Sequence, residues 1–148
     1  MIVRQGRILA AALVLAAACA GAGQTQAPSL VGRWEQEGAD PHAAAAPARR
    51  QSFVFNADGS ALWIFTTPER QDTFAIRYAF DPSATPARLD LSGFTSGFLL
   101  GRVLYCIVDR AAVERFRMDC EPGRPGVAPE TARPDAFTAQ TVTCRRTP

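Results

Sequence analysis

Residues 73–80, TFAIRYAF, alternate strictly between two faces. Phe74, Ile76, Tyr78 and Phe80 share one side; Thr73, Ala75, Arg77 and Ala79 share the other. A period of two is the mark of a β-strand with one buried face. Similar short runs recur along the chain between turn residues, and no long 3.6-residue period competes with them. Leu30 to Glu37 is the first run, followed by a loop over residues 38–49 with two prolines and an Ala tetrad. Arg50 to Phe55 and Ser60 to Thr67 flank Asn56-Ala57-Asp58-Gly59, a strong turn signal. Thr73 to Phe80 is the fourth strand, and Asp81-Pro82 through Pro86 turns the chain into a fifth at Ala87 to Leu91. Gly93 to Gly101 is an apolar, Gly-interrupted connection with no assignable element. Arg102 to Asp109 and Glu114 to Glu121 read as a hairpin, residues 122–136 as a Pro-rich loop, and Phe137 to Arg145 as the last strand. Eight strands with mostly short connections predict an all-β fold, an eight-stranded antiparallel up-and-down barrel. Closure removes exposed edges and leaves an interior wide enough for side chains or for one small ligand.

The N-terminus predicts an address. Arg4 and Arg7 precede an uncharged apolar run from Ile8 to Ala18, and small residues surround Cys19. The run is too short to span a bilayer and reads as an export signal over residues 1–18. It resembles a bacterial lipoprotein signal, which implies a lipid on Cys19 and a membrane-anchored protein of the bacterial cell envelope. The alternative is ordinary cleavage after Ala20 or Ala22, which would give a soluble periplasmic protein. Residues 19–29 read as a flexible tether, and residues 30–148 as one barrel domain. All 16 basic residues of the chain are Arg; loss of Arg4 and Arg7 leaves them equal in number to the 14 acidic ones. Neither nucleic acid nor an acidic surface is the expected partner of such a balance.

Cys106, Cys120 and Cys144 remain after Cys19. In an oxidising envelope an odd count suggests one disulfide and one free thiol. Cys120 sits on a strand between those carrying Cys106 and Cys144, so any disulfide should include Cys120, with Cys106 the favoured partner because the hairpin joins them. Three buried, reduced cysteines are the alternative. The lone His42 lies in an Ala-rich loop, so neither a metal site, a cofactor nor nucleophilic catalysis is expected, and no catalytic residue is assigned. The chain reads as a non-enzyme.

Alternation places Trp34, Phe53, Phe55, Phe74, Ile76, Tyr78, Phe80, Leu89, Leu91, Phe116 and Met118 inward. Such an interior is either a filled core or an apolar pocket, with Tyr78 and Tyr105 as the candidate polar anchors. The candidate ligand-binding residues are therefore Phe53, Phe55, Phe74, Ile76, Tyr78, Phe80, Tyr105, Phe116 and Met118. The third strand is apolar on both faces. If Ala61, Trp63 and Phe65 point outward, they form either a contact surface for an envelope protein or a face covered by the 38–49 loop.

Gly32-x-Trp34 resembles the G-x-W signature of lipocalins, which implies that Trp34 plugs the closed end of the barrel under a late Arg, Arg145 or Arg146. Tyr78-Ala79-Phe80-Asp81-Pro82, Pro86 and Leu89-Asp90-Leu91, then Phe116 to Cys120, Arg133-Pro134-Asp135-Ala136-Phe137 and Arg145, resemble the ordered motifs of a lipocalin-like domain family of uncharacterised function, first noted in planctomycetes. The resemblance implies structural roles for Gly32, Trp34, Asp81, Pro82, Asp90, Arg133, Pro134, Phe137 and Arg145. It implies no activity. Asp81 before Pro82 reads independently as a turn residue, and Asp90 between Leu89 and Leu91 should point outward. Two functions remain: binding of a small apolar ligand or envelope component, or a structural or protein-interaction module with a filled core.

Overall fold

The computed structural model describes residues 28–41, 49–124 and 127–148. The export signal, Cys19, most of the tether and His42 lie outside the described residues. Eight strands form: β1 (Gly32–Gln36), β2 (Arg50–Phe55), β3 (Ser60–Thr66), β4 (Gln71–Asp81), β5 (Ala87–Ser92), β6 (Leu104–Ala112), β7 (Arg115–Pro122) and β8 (Val142–Thr147). Each pairs antiparallel with the next, and β8 pairs back onto β1, closing the barrel in sequence order. A short helix, α1 (Pro129–Ala132), interrupts the Pro-rich loop.

The turns follow the local chemistry. Asp58 Oδ1 accepts from Ser60 N–H at 2.9 Å and from Ser60 Oγ at 2.6 Å, and Gly59 takes φ +79°. Asp81 repeats the device with Ser83, at 2.9 and 2.6 Å, so Asp81-Pro82 is structural. These hydrogen bonds from Ser83 hold the Asp81 carboxyl below its ordinary range. Tyr78 Oη donates to Asn56 C=O at 2.7 Å and ties the first of these turns to β4.

One end of the barrel is packed solid. Trp34, Phe53, Phe55 and Phe116 are fully buried there. Trp34 meets Phe116 edge-on, with centroids 4.7 Å apart, and its Nε1 donates to Leu30 C=O at 2.7 Å. The register sets Trp34 opposite Arg146, whose guanidinium lies 4.6 Å from the indole ring. Arg146 Nη1 also donates to Val31 C=O at 3.1 Å. Gly32 makes room for this: a Cβ there would stand 2.8 Å from Arg146 Nη1, and φ is +131°. Arg145, the alternative partner for Trp34, points outward instead, 3.4 Å from Glu37. Parity decides between the two, since neighbours on a strand face opposite sides.

Cys106 stands directly opposite Cys120, and the two form a disulfide. Cys144 is the free, buried thiol. Burial first, then the Glu37 carboxylate, push it up to about 12, so it remains a protonated, small apolar group at neutral pH.

Two expectations are corrected. On β3, Ala61 pairs with Phe55 and Trp63 with Phe53, so Ala61, Trp63 and Phe65 face inward; Leu62 and Ile64 face out. The last strand begins at Val142, not Phe137. Asp119, on the outer face of β7, gathers Thr138 N–H at 2.7 Å, Thr138 Oγ1 at 2.7 Å and Thr141 Oγ1 at 2.9 Å. These bonds fold residues 138–141 into a turn. The preceding segment runs as a strap over the outside of the barrel, with Phe137 against Arg117, whose guanidinium is 4.3 Å from the ring centroid. Arg133 pins the strap. Its Nη2 donates to Asp90 at 2.5 Å and its Nη1 to the Cys106 carbonyl at 2.6 Å. Asp90 does point outward, as alternation requires, and Pro134 follows the pinned Arg133.

A candidate ligand cavity at the barrel mouth

The end opposite Trp34 is open. Strand β1 ends there, as do β3, β5 and β7, while β2, β4, β6 and β8 begin there. Within it lies a cavity of about 490 Å³, inside the range of roughly 300–1,000 Å³ for small-molecule sites. Its walls come from both sides of the barrel: Trp63 and Phe65 on β3, Leu104 on β6, Met118 on β7 and Val142 on β8, with Leu99 from the 93–103 loop. Gly93, Gly97 and Gly101 of that loop all take positive φ. They let it bury Phe94 and Leu99 while Phe98 and Leu100 stay 78% and 62% exposed.

The polar lining is sparse: Arg49, Gln51, Glu121 and Gln140. Gln51 has inward parity with Phe53 and Phe55 and is only 3% exposed. Its Oε1 accepts from Trp63 Nε1 at 3.0 Å, and its backbone N–H donates to Gln36 Oε1 at 3.1 Å. Gln36 Nε2 itself is buried without a hydrogen-bond partner among the described residues. Arg49 is engaged: Nε and Nη2 each lie 2.7 Å from Asp40 Oδ2, and the guanidinium covers Phe65 at 4.9 Å.

The candidate ligand-binding residues divide sharply. Met118 lines the cavity. Phe74 lines a smaller adjoining recess of about 120 Å³ with Trp63, Phe65 and Phe94. Phe53, Phe55 and Phe116 are core plugs under the cavity, and Ile76 is a buried wall residue; none of these four borders the space. Phe80 borders an open groove at the closed end, beside Pro82 and Phe137. Neither tyrosine borders the cavity. Tyr78 Oη is already bound to Asn56, and burial, with the Asp58 charge, raises its pKa. Tyr105 pairs with Asp90 and Glu121 on the outer face, under Arg133.

Sequence reasoning missed Gln51, Leu99, Leu104 and Val142 as cavity residues and put Trp63 and Phe65 on the wrong face. One signal was present for Gln51: a polar residue in the inward register of Gln51-x-Phe53-x-Phe55. Among the described residues, no group of His, Cys, Asp and Glu is placed to hold a metal ion. No protein-family model, curated protein or solved structure matches this chain.

Proposed function

We propose that this barrel binds a small apolar ligand at its mouth, as an exported, lipocalin-like protein of the bacterial cell envelope. The observation that carries the reading is the cavity of about 490 Å³ walled by Trp63, Phe65, Leu99, Leu104, Met118 and Val142 above a solid floor. An apolar body gains by leaving water for such walls, at about 25 cal/mol per Å² of buried apolar area. The stacking of Arg146 on Trp34 behind Gly32 is what the lipocalin resemblance implies, and it supports the lipocalin-like part of the reading. The protein is a carrier or sensor rather than a catalyst. Export and a lipid on Cys19 rest on the N-terminal sequence, and mass spectrometry of the membrane fraction tests them: an acylated Cys19 supports the anchor, and an unacylated mature chain beginning at Gly21 or Gly23 overturns it.

The binding test uses N-phenylnaphthylamine, whose fluorescence rises in an apolar site. The wild-type protein is expected to bind it saturably and to release it to a lipid extract of the envelope. Met118→Trp, which fills the cavity, is expected to weaken binding at least about tenfold while leaving the circular dichroism unchanged. Equal binding by both proteins overturns the reading.

A second reading has its own support. Phe98 and Leu100 stand exposed at the rim, as an interaction module presenting them to an envelope protein would require. Phe98 also borders the cavity, so Leu100 separates the readings: capture of an envelope protein that persists in Met118→Trp but is lost in Leu100→Ser favours the second.

A further inference from the structure

The cavity carries one oriented polar group, and its chemistry selects a ligand class. Trp63 Nε1 is a donor only. It therefore fixes the Gln51 amide with Oε1 toward the indole, at 3.0 Å. The Gln51 backbone is held from the other side by Gln36 Oε1. Gln51 Nε2 makes no hydrogen bond among the described residues, and it is not among their fully buried unpaired atoms: the residue as a whole is only 3% exposed, and it borders the cavity, to which this nitrogen stays open. A ligand that covers this donor without offering an acceptor strips it of water and leaves it unpaired, which disfavours binding. The group that relieves it is an acceptor oxygen on the ligand.

The charges at the cavity rule against an anionic oxygen. Among the described residues that line it Arg49 is the one basic residue, and both Nε and Nη2 face Asp40. A carboxylate entering here would lose its hydration and meet an Arg already neutralised.

The geometry points to an uncharged amphiphile as the ligand: an apolar body carrying a carbonyl or ester oxygen that accepts a hydrogen bond from Gln51 Nε2, not a free fatty acid. This deepens the proposal that the mouth binds apolar molecules and rests on it.

The test compares three competitors of similar length, undecane, methyl decanoate and decanoate, in displacing N-phenylnaphthylamine at neutral pH. Each is measured on the wild type, on Gln51→Met, and on Gln51→Glu, which keeps an acceptor for Trp63 but offers no donor when ionised. On the wild type, decanoate is expected to bind at least about tenfold more weakly than its methyl ester. The ratio of ester to alkane affinity should fall about fivefold in both variants, the worth of one neutral hydrogen bond. Alkane affinity should hold in Gln51→Met, which also shows that this variant is folded; Gln51→Glu answers the question if it is not. An ester-to-alkane ratio equal in all three proteins overturns the inference while leaving the apolar site standing. So does decanoate as the tightest competitor. Failure of the wild type to bind the probe at all removes both.

Discussion

Among the described residues Trp34 is the largest fully buried side chain, and it is hydrogen-bonded as well. Trp34→Ala is expected to lower stability by about 3–5 kcal/mol in chemical denaturation, the range for deleting a buried large aromatic. A loss well under 1 kcal/mol would mean the floor is not packed as described. Gly32→Ala tests the same corner from the backbone side. Its φ of +131° and the guanidinium 2.8 Å from the added Cβ predict a loss of about 1–3 kcal/mol. The Gly32-x-Trp34 motif was readable in sequence because the floor demands both residues at fixed spacing. The choice between Arg145 and Arg146 was not readable, since two adjacent arginines satisfy the same pattern until register assigns their faces.

At the scale of the element, the strap between β7 and β8 shows why loops resist reading. Arg133, Phe137 and Thr138 act through partners more than 15 residues away, so no local periodicity announces them. Phe137 was mistaken for strand because an aromatic near alternating residues carries the same signal whether it pairs or only packs on an arginine. Arg133→Ala removes a charged bond to Asp90 and one to a sheet carbonyl, and should lower stability by about 1.5–3 kcal/mol. Hydrogen exchange should then accelerate across residues 133–141. Asp119 makes the strap sensitive to pH. Burial alone would raise its carboxyl, but the bonds from Thr138 and Thr141 offset this and hold it below the ordinary carboxylate value. A depressed folded value gives stability that is present above the unfolded pKa of about 3.9 and is lost as pH falls through the folded one. Wild-type melting temperature should therefore drop more steeply over that acidic window than that of Asp119→Asn.

For the whole molecule, the strand count, up-and-down order and closure follow from short alternating runs with turn residues between them. Strand β3 shows the limit of that logic. Leu62 and Ile64 are as apolar as Trp63 and Phe65, so parity fixes two faces without saying which is inside. The answer depends on pairing, where Trp63 falls opposite Phe53. That one ambiguity hid the cavity, because its two largest wall residues lie on the face in question. The disulfide joins β6 to β7 across a separation of 14 residues. Its reduction should lower stability by about 3 kcal/mol on the loop-entropy scale, seen as a fall in melting temperature with reductant.

The two tryptophans lie in the two halves of the barrel, one in the solid floor and one in the wall of the cavity. Quenching by bromododecane, read on Trp34→Phe and Trp63→Phe separately, tests the half-filled barrel most directly. Saturable quenching of Trp63 with Trp34 left unquenched is the predicted result. Equal quenching of both, or of neither, would contradict it.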